Sequence, residues 1–270
     1  MSDLATVAPW DLVAAGYSEA SVDFFRGFSD AALDMVAPGE DDRLLDVGCG
    51  PGTLALVAAR RVVAIDALDF SKKMIAILRR RATDAGLTNI SPLLGDGQNL
   101  PYEDATFDAA FSMFGLMFFP DRAKGYGEIF RTLKPGGRAC VSSWAPVNQS
   151  PLMEIMFGAL RAINPDIPEP KTNIDSLENP DLLAAELTEA GFKEVEVHSV
   201  TSGVEFASAM EFWDKMTKGS APVLMIRKKM GEDAWREKSE IAVDYVARAV
   251  GMFPASLSSD AWFGVATKLT

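Results

Sequence analysis

The sequence predicts an α/β fold in which a doubly wound, mostly parallel sheet carries helices on both faces. Short apolar runs alternate with helically periodic stretches across residues 43–144, the pattern that crossover helices impose on a parallel sheet. The first apolar run passes straight into a glycine-rich turn, Gly48-Cys49-Gly50-Pro51-Gly52, and then into a helix. At 270 residues and 48% hydrophobic content the chain can bury one large core, so the whole is read as a single domain, 1–270, with helical additions.

Residues 10–36 read as one or two helices with Phe24, Phe25 and Phe28 on one face and Pro38-Gly39 as the stop, a cap spanning 1–40. Five strands are expected at 43–48, 62–69, 90–95, 107–112 and 138–144. The turn opens a helix at 54–60. Met74, Ile75, Ile77 and Leu78 mark one apolar helix face, and Tyr126, Ile129, Phe130 and Leu133 recur at i, i+3, i+4 and i+7. Lys134-Pro135-Gly136-Gly137 then stops that helix. Residues 151–163 read as a helix, 164–179 as Pro-rich and irregular, and 180–190 as a helix closed by Gly191. Phe192, Val195 and Val197 interleave with Lys193, Glu194, Glu196 and His198, so the sixth strand, 192–200, is placed at an edge with one solvated face. Helices fill 208–251, where Ile241, Tyr245 and Ala249 form a stripe, and the seventh strand lies at 261–268. Segments 150–180 and 207–251 are expected as lids, the second because an insertion between the last two strands sits where it could cover a pocket.

Composition narrows the function. Lys plus Arg number 26 against 38 Asp plus Glu, a net charge of −12, which disfavours phosphate backbones and anionic membranes as partners. Arg79-Arg80-Arg81 and Arg227-Lys228-Lys229 are therefore read as solvated helix faces. Two cysteines, Cys49 and Cys140, and one histidine, His198, make no metal centre; His198 is read as a surface or packing residue. The longest near-apolar run, 109–119, falls short of the roughly 20 residues a bilayer span needs. The first ten residues lack a signal-peptide pattern, so a cytoplasmic protein is expected.

Glycines let a ligand approach the backbone closely, but the spacing Gly48, Gly50, Gly52 is not the G-x-G-x-x-G of a dinucleotide cradle. Asp46, at the strand's end, is placed to fix the amino group of a bound amino acid, directly or through backbone. A carboxylate at the end of the second strand has two acceptor oxygens for the two hydroxyls of a ribose. Asp69 is the candidate, with Asp66 the rival if the strand ends earlier.

With Asp46-x-Gly48-x-Gly50-x-Gly52 in view, the sequence resembles the class I S-adenosylmethionine-dependent methyltransferases, especially the small-molecule branch of ubiquinone and menaquinone biosynthesis. The resemblance covers 43–144 closely and the flanks loosely. It implies a Rossmann-like seven-stranded sheet with an antiparallel last strand, and S-adenosylmethionine as donor, released as S-adenosylhomocysteine. By resemblance, the glycine turn with Cys49 as a small filler meets the methionine part. Asp69, in its Asp69-Phe70-Ser71-x-x-Met74 context, takes the ribose, and the acid of Gly95-Asp96-Gly97 takes the adenine amino group. Ser112, Met113 and Phe114 lie beside the donor by the same resemblance, although Met113 and Phe114 also read as plain core.

Methyl transfer from a sulfonium is served by alignment and desolvation, and no side chain announces itself as a general base, so no catalytic residue is assigned. The acceptor is expected to be a small, lipophilic or aromatic molecule, or a cationic amine held by aromatic rings. Candidates for its pocket are Trp10, Tyr17, Phe114, Met117, Phe118 and Trp144; a buried core beneath the lid is the alternative for them. Tyr17 resembles an N-terminal tyrosine near the donor in that family. Two competing functions remain at this level, a non-catalytic donor-binding protein and a nicotinamide-dependent oxidoreductase. Oligomeric state is left open.

Overall fold

The computed structural model describes residues 3–20 and 22–270. Two helices open it, α1 (Val7–Ala20) and α2 (Val22–Val36); Met1, Ser2 and Ser21 of the predicted cap lie outside the described residues. Helix α2 stops where Ala37 enters left-handed backbone at φ 52, and Pro38 cannot continue a helix. There follow β1 (Arg43–Val47), α3 (Thr53–Ala58), β2 (Ala64–Asp69), α4 (Lys72–Asp84), β3 (Ile90–Leu94), β4 (Phe107–Met113), α5 (Arg122–Thr132) and β5 (Leu133–Trp144). The second half comprises α6 (Pro151–Ile163), α7 (Pro180–Glu189), β6 (Lys193–Phe206), α8 (Ala209–Gly219), α9 (Ala221–Met230), α10 (Glu232–Val250) and β7 (Ala255–Thr267). Polar side chains start several helices by accepting an otherwise orphaned amide: Ser71 that of Met74, Asp121 that of Lys124, and Ser208 that of Glu211.

The strands form one sheet in the order β3-β2-β1-β4-β5-β7-β6. Strands β1 to β5 pair in parallel, while β7 runs antiparallel to both β5 and β6. Continuous apolar runs are needed because both faces are covered. Leu44 packs with Phe28, Leu54 and Leu78 on one side, and its neighbour Leu45 with Leu116, Ile129 and Leu187 on the other. Strand order reverses between β1 and β4, which opens a crevice at the carboxyl ends of the strands.

Three expectations on the strands are corrected. Strand β5 starts at Leu133 rather than 138: Phe107 pairs with Leu133 and Ala109 with Arg138, so the Lys-Pro-Gly-Gly stop is a bulge inside the strand. The last two strands are 14 and 13 residues long, against the shorter 192–200 and 261–268. Pairing of β7 with β5 ends at Trp144 and Ala261, but β6 and β7 stay paired out to Phe206 and Ala255. Thr201, Ser202, Gly203, Ser256, Ser258 and Ser259 in that ribbon give it almost no apolar signal.

The insertion α8–α10 packs with α6 around Phe212, Trp213, Trp235 and Phe206 as a cluster of its own. It does not roof the crevice. Helix α1 does, and the insertion backs α1: Val13 and Ala14 pack with Ala221 of α9 and Met74 of α4. Gly16 lies so close to α8 that an added Cβ would be 2.5 Å from the Lys218 carbonyl oxygen. Among the described residues no helix is long and apolar enough to cross a membrane, and no group of three or more His, Cys, Asp or Glu could hold a metal ion.

Candidate functional site

The crevice is built from four strand ends. After β1, the amides of Gly48 and Cys49 donate to the Leu68 carbonyl at 2.8 and 3.0 Å, which straps the glycine turn to the end of β2. Gly50 takes φ 54 and Gly52 φ 81, left-handed backbone that side-chain-bearing residues avoid. At Gly52 a Cβ would also run into the Leu78 side chain, so this glycine serves the packing of α3 against α4.

Asp69 closes β2 and organises both turns. Its Oδ2 accepts the Gly50 amide at 2.9 Å and its Oδ1 the Ser71 amide at 2.8 Å. Burial pushes its carboxyl up to about 6, the two amides hold it back, and the Asp11 charge adds to the rise. Asp46 sits deeper, 1% exposed, and its Oδ2 has no hydrogen-bond partner. Burial raises its carboxyl to about 7, with the Asp69 charge adding and the Ala55 amide opposing. Asp66, the rival of Asp69, is occupied elsewhere: Arg43 Nε and Nη2 both donate to its Oδ2 at 2.8 Å.

Past β3, Asp96 Oδ1 accepts the Gln98 amide at 2.9 Å, and the Gln98 side-chain carbonyl accepts the Asp121 amide at 2.9 Å. Gly97 is pressed against Phe119 and Val47; a Cβ there would lie 2.5 Å from Phe119 Cζ and 2.8 Å from Val47 Cγ1. At the end of β4, Phe114 takes the left-handed region at φ 58, with its amide donating to Ser142 Oγ at 3.0 Å. Its ring is 4.1 Å from Trp144 and near 5 Å from Phe25 and Phe28, at 5.3 and 5.2 Å.

Helix α1 closes the top. Ser71 Oγ donates to Asp11 Oδ1 at 2.5 Å and Lys73 Nζ to the Asp11 carbonyl at 3.1 Å. The Trp10 indole donates to the Leu4 carbonyl and lies 5.0 Å from the Phe118 ring. Tyr17 stacks on Phe25 at 5.4 Å and 26°, and burial beside Asp69 pushes its phenol well above the usual range.

The cavity so enclosed measures about 330 Å³. Of the predicted donor residues, Gly48, Gly50, Asp69, Phe70, Met74, Asp96, Gly97, Met113 and Phe114 line it, as do the predicted acceptor residues Trp10, Tyr17 and Phe118. Asp46 and Cys49 line a smaller recess of about 50 Å³ that shares Tyr17, Gly48, Gly50, Met113 and Phe114 with the first. Burial beside Asp46 and Asp69 drives the Cys49 thiol up, away from the reactive thiolate.

Five predicted residues line neither space. Gly52 is packed against Leu78. Ser71 spends its hydroxyl on Asp11 and the Met74 amide. Ser112 Oγ donates to the Val47 carbonyl and accepts the Leu116 amide, bracing the two strand ends. Met117 is turned toward Ser143, and Trp144 lies behind Phe114. Sequence reasoning missed Ala5, Gln98, Phe119 and Pro120 in the larger space, and Phe25 and Ser29 in the recess. Gly97 and Gly125 held the available signal for Phe119, since its ring fills the room that a side chain at either would need.

A family profile described as a methyltransferase domain matches residues 44–137. Nocamycin O-methyltransferase of Saccharothrix syringae is 32% identical over 56% of this chain, an alignment that spans about half of that enzyme, 55%. Demethylmenaquinone methyltransferase of Bacillus subtilis is 32% identical, covering 66% of this chain and 83% of the relative. The Haemonchus contortus phosphoethanolamine N-methyltransferase 2, solved with S-adenosyl-L-methionine, superposes with a TM-score of 0.60 over 96% of this chain and 57% of its own, at 18% identity, a likeness of fold.

Proposed function

Since this chain belongs to the class I S-adenosylmethionine-dependent methyltransferases, we propose that it methylates a small, lipophilic or aromatic acceptor held beneath α1. The observation that carries the reading is the buried, partnerless Oδ2 of Asp46. A buried acceptor atom of this kind is costly unless a donor satisfies it, and the ammonium of the donor's methionine end does so. Beside it, Asp69 has a lone pair left on each oxygen for the ribose hydroxyls. Asp96 Oδ2 is open to the adenine amino group, and Phe70, Met74, Met113 and Phe114 supply apolar walls. The glycine turn brings backbone to the methionine end, with Cys49 as its filler.

S-adenosylmethionine supplies a methyl group on a sulfonium whose departing sulfur becomes a neutral thioether, so no acid is required. The chain's own residues align and desolvate. Tyr17, Met113 and Phe114 wall the junction of the two spaces, and α1, tied down through Asp11 and Ser71, keeps water out. Holding acceptor and donor in line is worth several kcal/mol, up to about 7–11 in well-oriented systems. Among the described residues lining either space, none is Lys, Arg or His, which favours an acceptor without an anionic group at the reacting end. Relatives whose names specify demethylmenaquinone and nocamycin support a small-molecule acceptor, and a net charge of −12 opposes a nucleic acid.

The test is calorimetric titration of the wild type and Asp69→Ala with S-adenosylmethionine, S-adenosylhomocysteine and NAD. Binding of the two sulfur nucleosides, lost in Asp69→Ala, is expected. Binding of NAD alone would overturn the reading in favour of an oxidoreductase.

A further inference from the structure

We propose that Phe25 stands where the acceptor's ring binds, and that its side chain therefore sets which acceptors are admitted: a planar aromatic molecule takes the place of the Phe25 ring against Phe114 and Trp144. The inference rests on the donor reading above and concerns the space left for the acceptor once the donor is bound.

That space is too small as it stands. The larger cavity, about 330 Å³, is at the low end of the roughly 300–1,000 Å³ that ligand sites occupy, and the residues assigned to ribose and adenine all line it. The adjoining recess of about 50 Å³, where Asp46 meets the donor's ammonium, has room for little more than that group, since one water alone takes about 30 Å³. A ring system cannot enter unless a side chain yields.

Phe25 is the ring placed to yield. It lines the recess together with Asp46, Tyr17 and Phe114, and it is half-buried, whereas Phe28 and Phe111 are fully buried in the sheet's core. Its backbone, by contrast, is held. Ser202 Oγ donates to the Phe24 carbonyl at 2.9 Å and Ser29 Oγ to the Phe25 carbonyl at 3.0 Å. An added Cβ at Gly27 would meet Ser202 Oγ at 2.6 Å, so α2 sits hard against β6. The ring turns about its own side-chain torsions while the helix stays in place.

The contacts Phe25 would vacate describe what replaces it. It is stacked on Tyr17 at 5.4 Å, edge-on to Phe114 at 5.3 Å and 65°, and tilted against Trp144 at 5.8 Å and 53°. With Phe24 also edge-on at 5.3 Å and 70°, one stacked face, two edges and a tilted ring make surroundings that a flat π-system prefers. Phe114 is common to both spaces, so a ring in this position lies next to the donor's sulfonium end.

The experiment is titration of 1-naphthol into wild type, Phe25→Ala and Phe25→Leu, each saturated with S-adenosylhomocysteine. Phe25→Ala should bind the probe roughly ten-fold more tightly than wild type, as an opened apolar cavity does for an aromatic guest, with Phe25→Leu in between. Because Phe25 borders the recess that holds Asp46, S-adenosylhomocysteine affinity is measured on each variant and the naphthol affinities are compared at saturation. Phe25→Leu keeps most of the volume and carries the test if Phe25→Ala does not fold. Equal naphthol affinity in all folded proteins, with normal S-adenosylhomocysteine binding, overturns this inference alone. Failure of the wild type to bind S-adenosylhomocysteine overturns the donor reading and this inference with it.

Discussion

The ring of Phe114 lies 4.1 Å from that of Trp144 and only 27° from parallel, and it does so from a backbone in the left-handed region, φ 58. Such a conformation is costly for a bulky residue and persists when its surroundings over-determine it. Here the stack and the Ser142 hydroxyl hold it. Trp144→Ala should therefore lower stability by about 3 kcal/mol and weaken donor binding, although Trp144 lines neither space. Trp144→Phe should restore much of both. Urea unfolding and donor titration on the two variants separate the effects.

Donor affinity should depend on pH through Asp46. Its carboxyl is raised from 3.8 to about 7, so the folded chain without donor holds that proton more tightly than the unfolded chain. The resulting stabilisation is full at low pH and is lost as pH climbs from about 4 to about 7. Binding a cationic amine runs the other way, because it needs the carboxylate. Affinity for S-adenosylmethionine should rise several-fold from pH 6 to about pH 7.5, above which the donor's own α-amine, with a pKa of about 7.7–8.0, loses the charge that Asp46 pairs with, and Asp46→Asn should bind weakly with a flattened profile. Asp69, raised to about 6, adds a slope of the same sign at lower pH.

The succession of strands and helices along 43–144, the glycine turn and the three acids at strand ends are legible because each is local: an apolar run, a spacing, a carboxylate where a strand stops. Asp69 and Asp66 are separated in the sequence only by where β2 ends, and the ion pair of Asp66 with Arg43 distinguishes them. What was not legible depends on long-range packing. Ser112 sits in a motif position and Met117 just past the fourth strand, but both point into the structure, and Trp144 is one ring removed from the space it was assigned to. Phe25 read as an ordinary apolar helix face, since nothing local indicates which of Phe24, Phe25 and Phe28 faces a recess. The polar ribbon of β6 and β7 was cut short for the same reason.

Gly97 should not tolerate even a methyl group. With a Cβ 2.5 Å from Phe119 Cζ and 2.7 Å from Cε2, Gly97→Ala should cost about 1–3 kcal/mol by overpacking. Phe119→Leu should recover part of the loss in the double variant. Thermal melts of the four proteins in the cycle measure the coupling.

Ser71 joins the roof to the floor, capping α4 through the Met74 amide and donating to Asp11 of α1. Ser71→Ala should cost about 1 kcal/mol for the cap. It should also raise the KM for S-adenosylmethionine, because α1 loses its tie. Asp11→Ala removes the acceptor of the Ser71 hydroxyl and leaves the cap intact, so it should raise KM with little change in melting temperature.

The close approach of Gly16 to the Lys218 carbonyl has a consequence for how the protein acquires its site. The strand ends that meet the donor are complete once β5 has paired with β4, but the helix that covers them, which precedes those strands in the chain, must wait for α8 and α9, which follow β6. Contacts between segments so far apart in the chain are the slowest to form, so α1 docks late and the crevice stays open to water throughout earlier folding. A chain ending after β6 would lose not only the roof but also β7, the strand that joins β6 to the sheet and carries Phe263 and Val265 into its core.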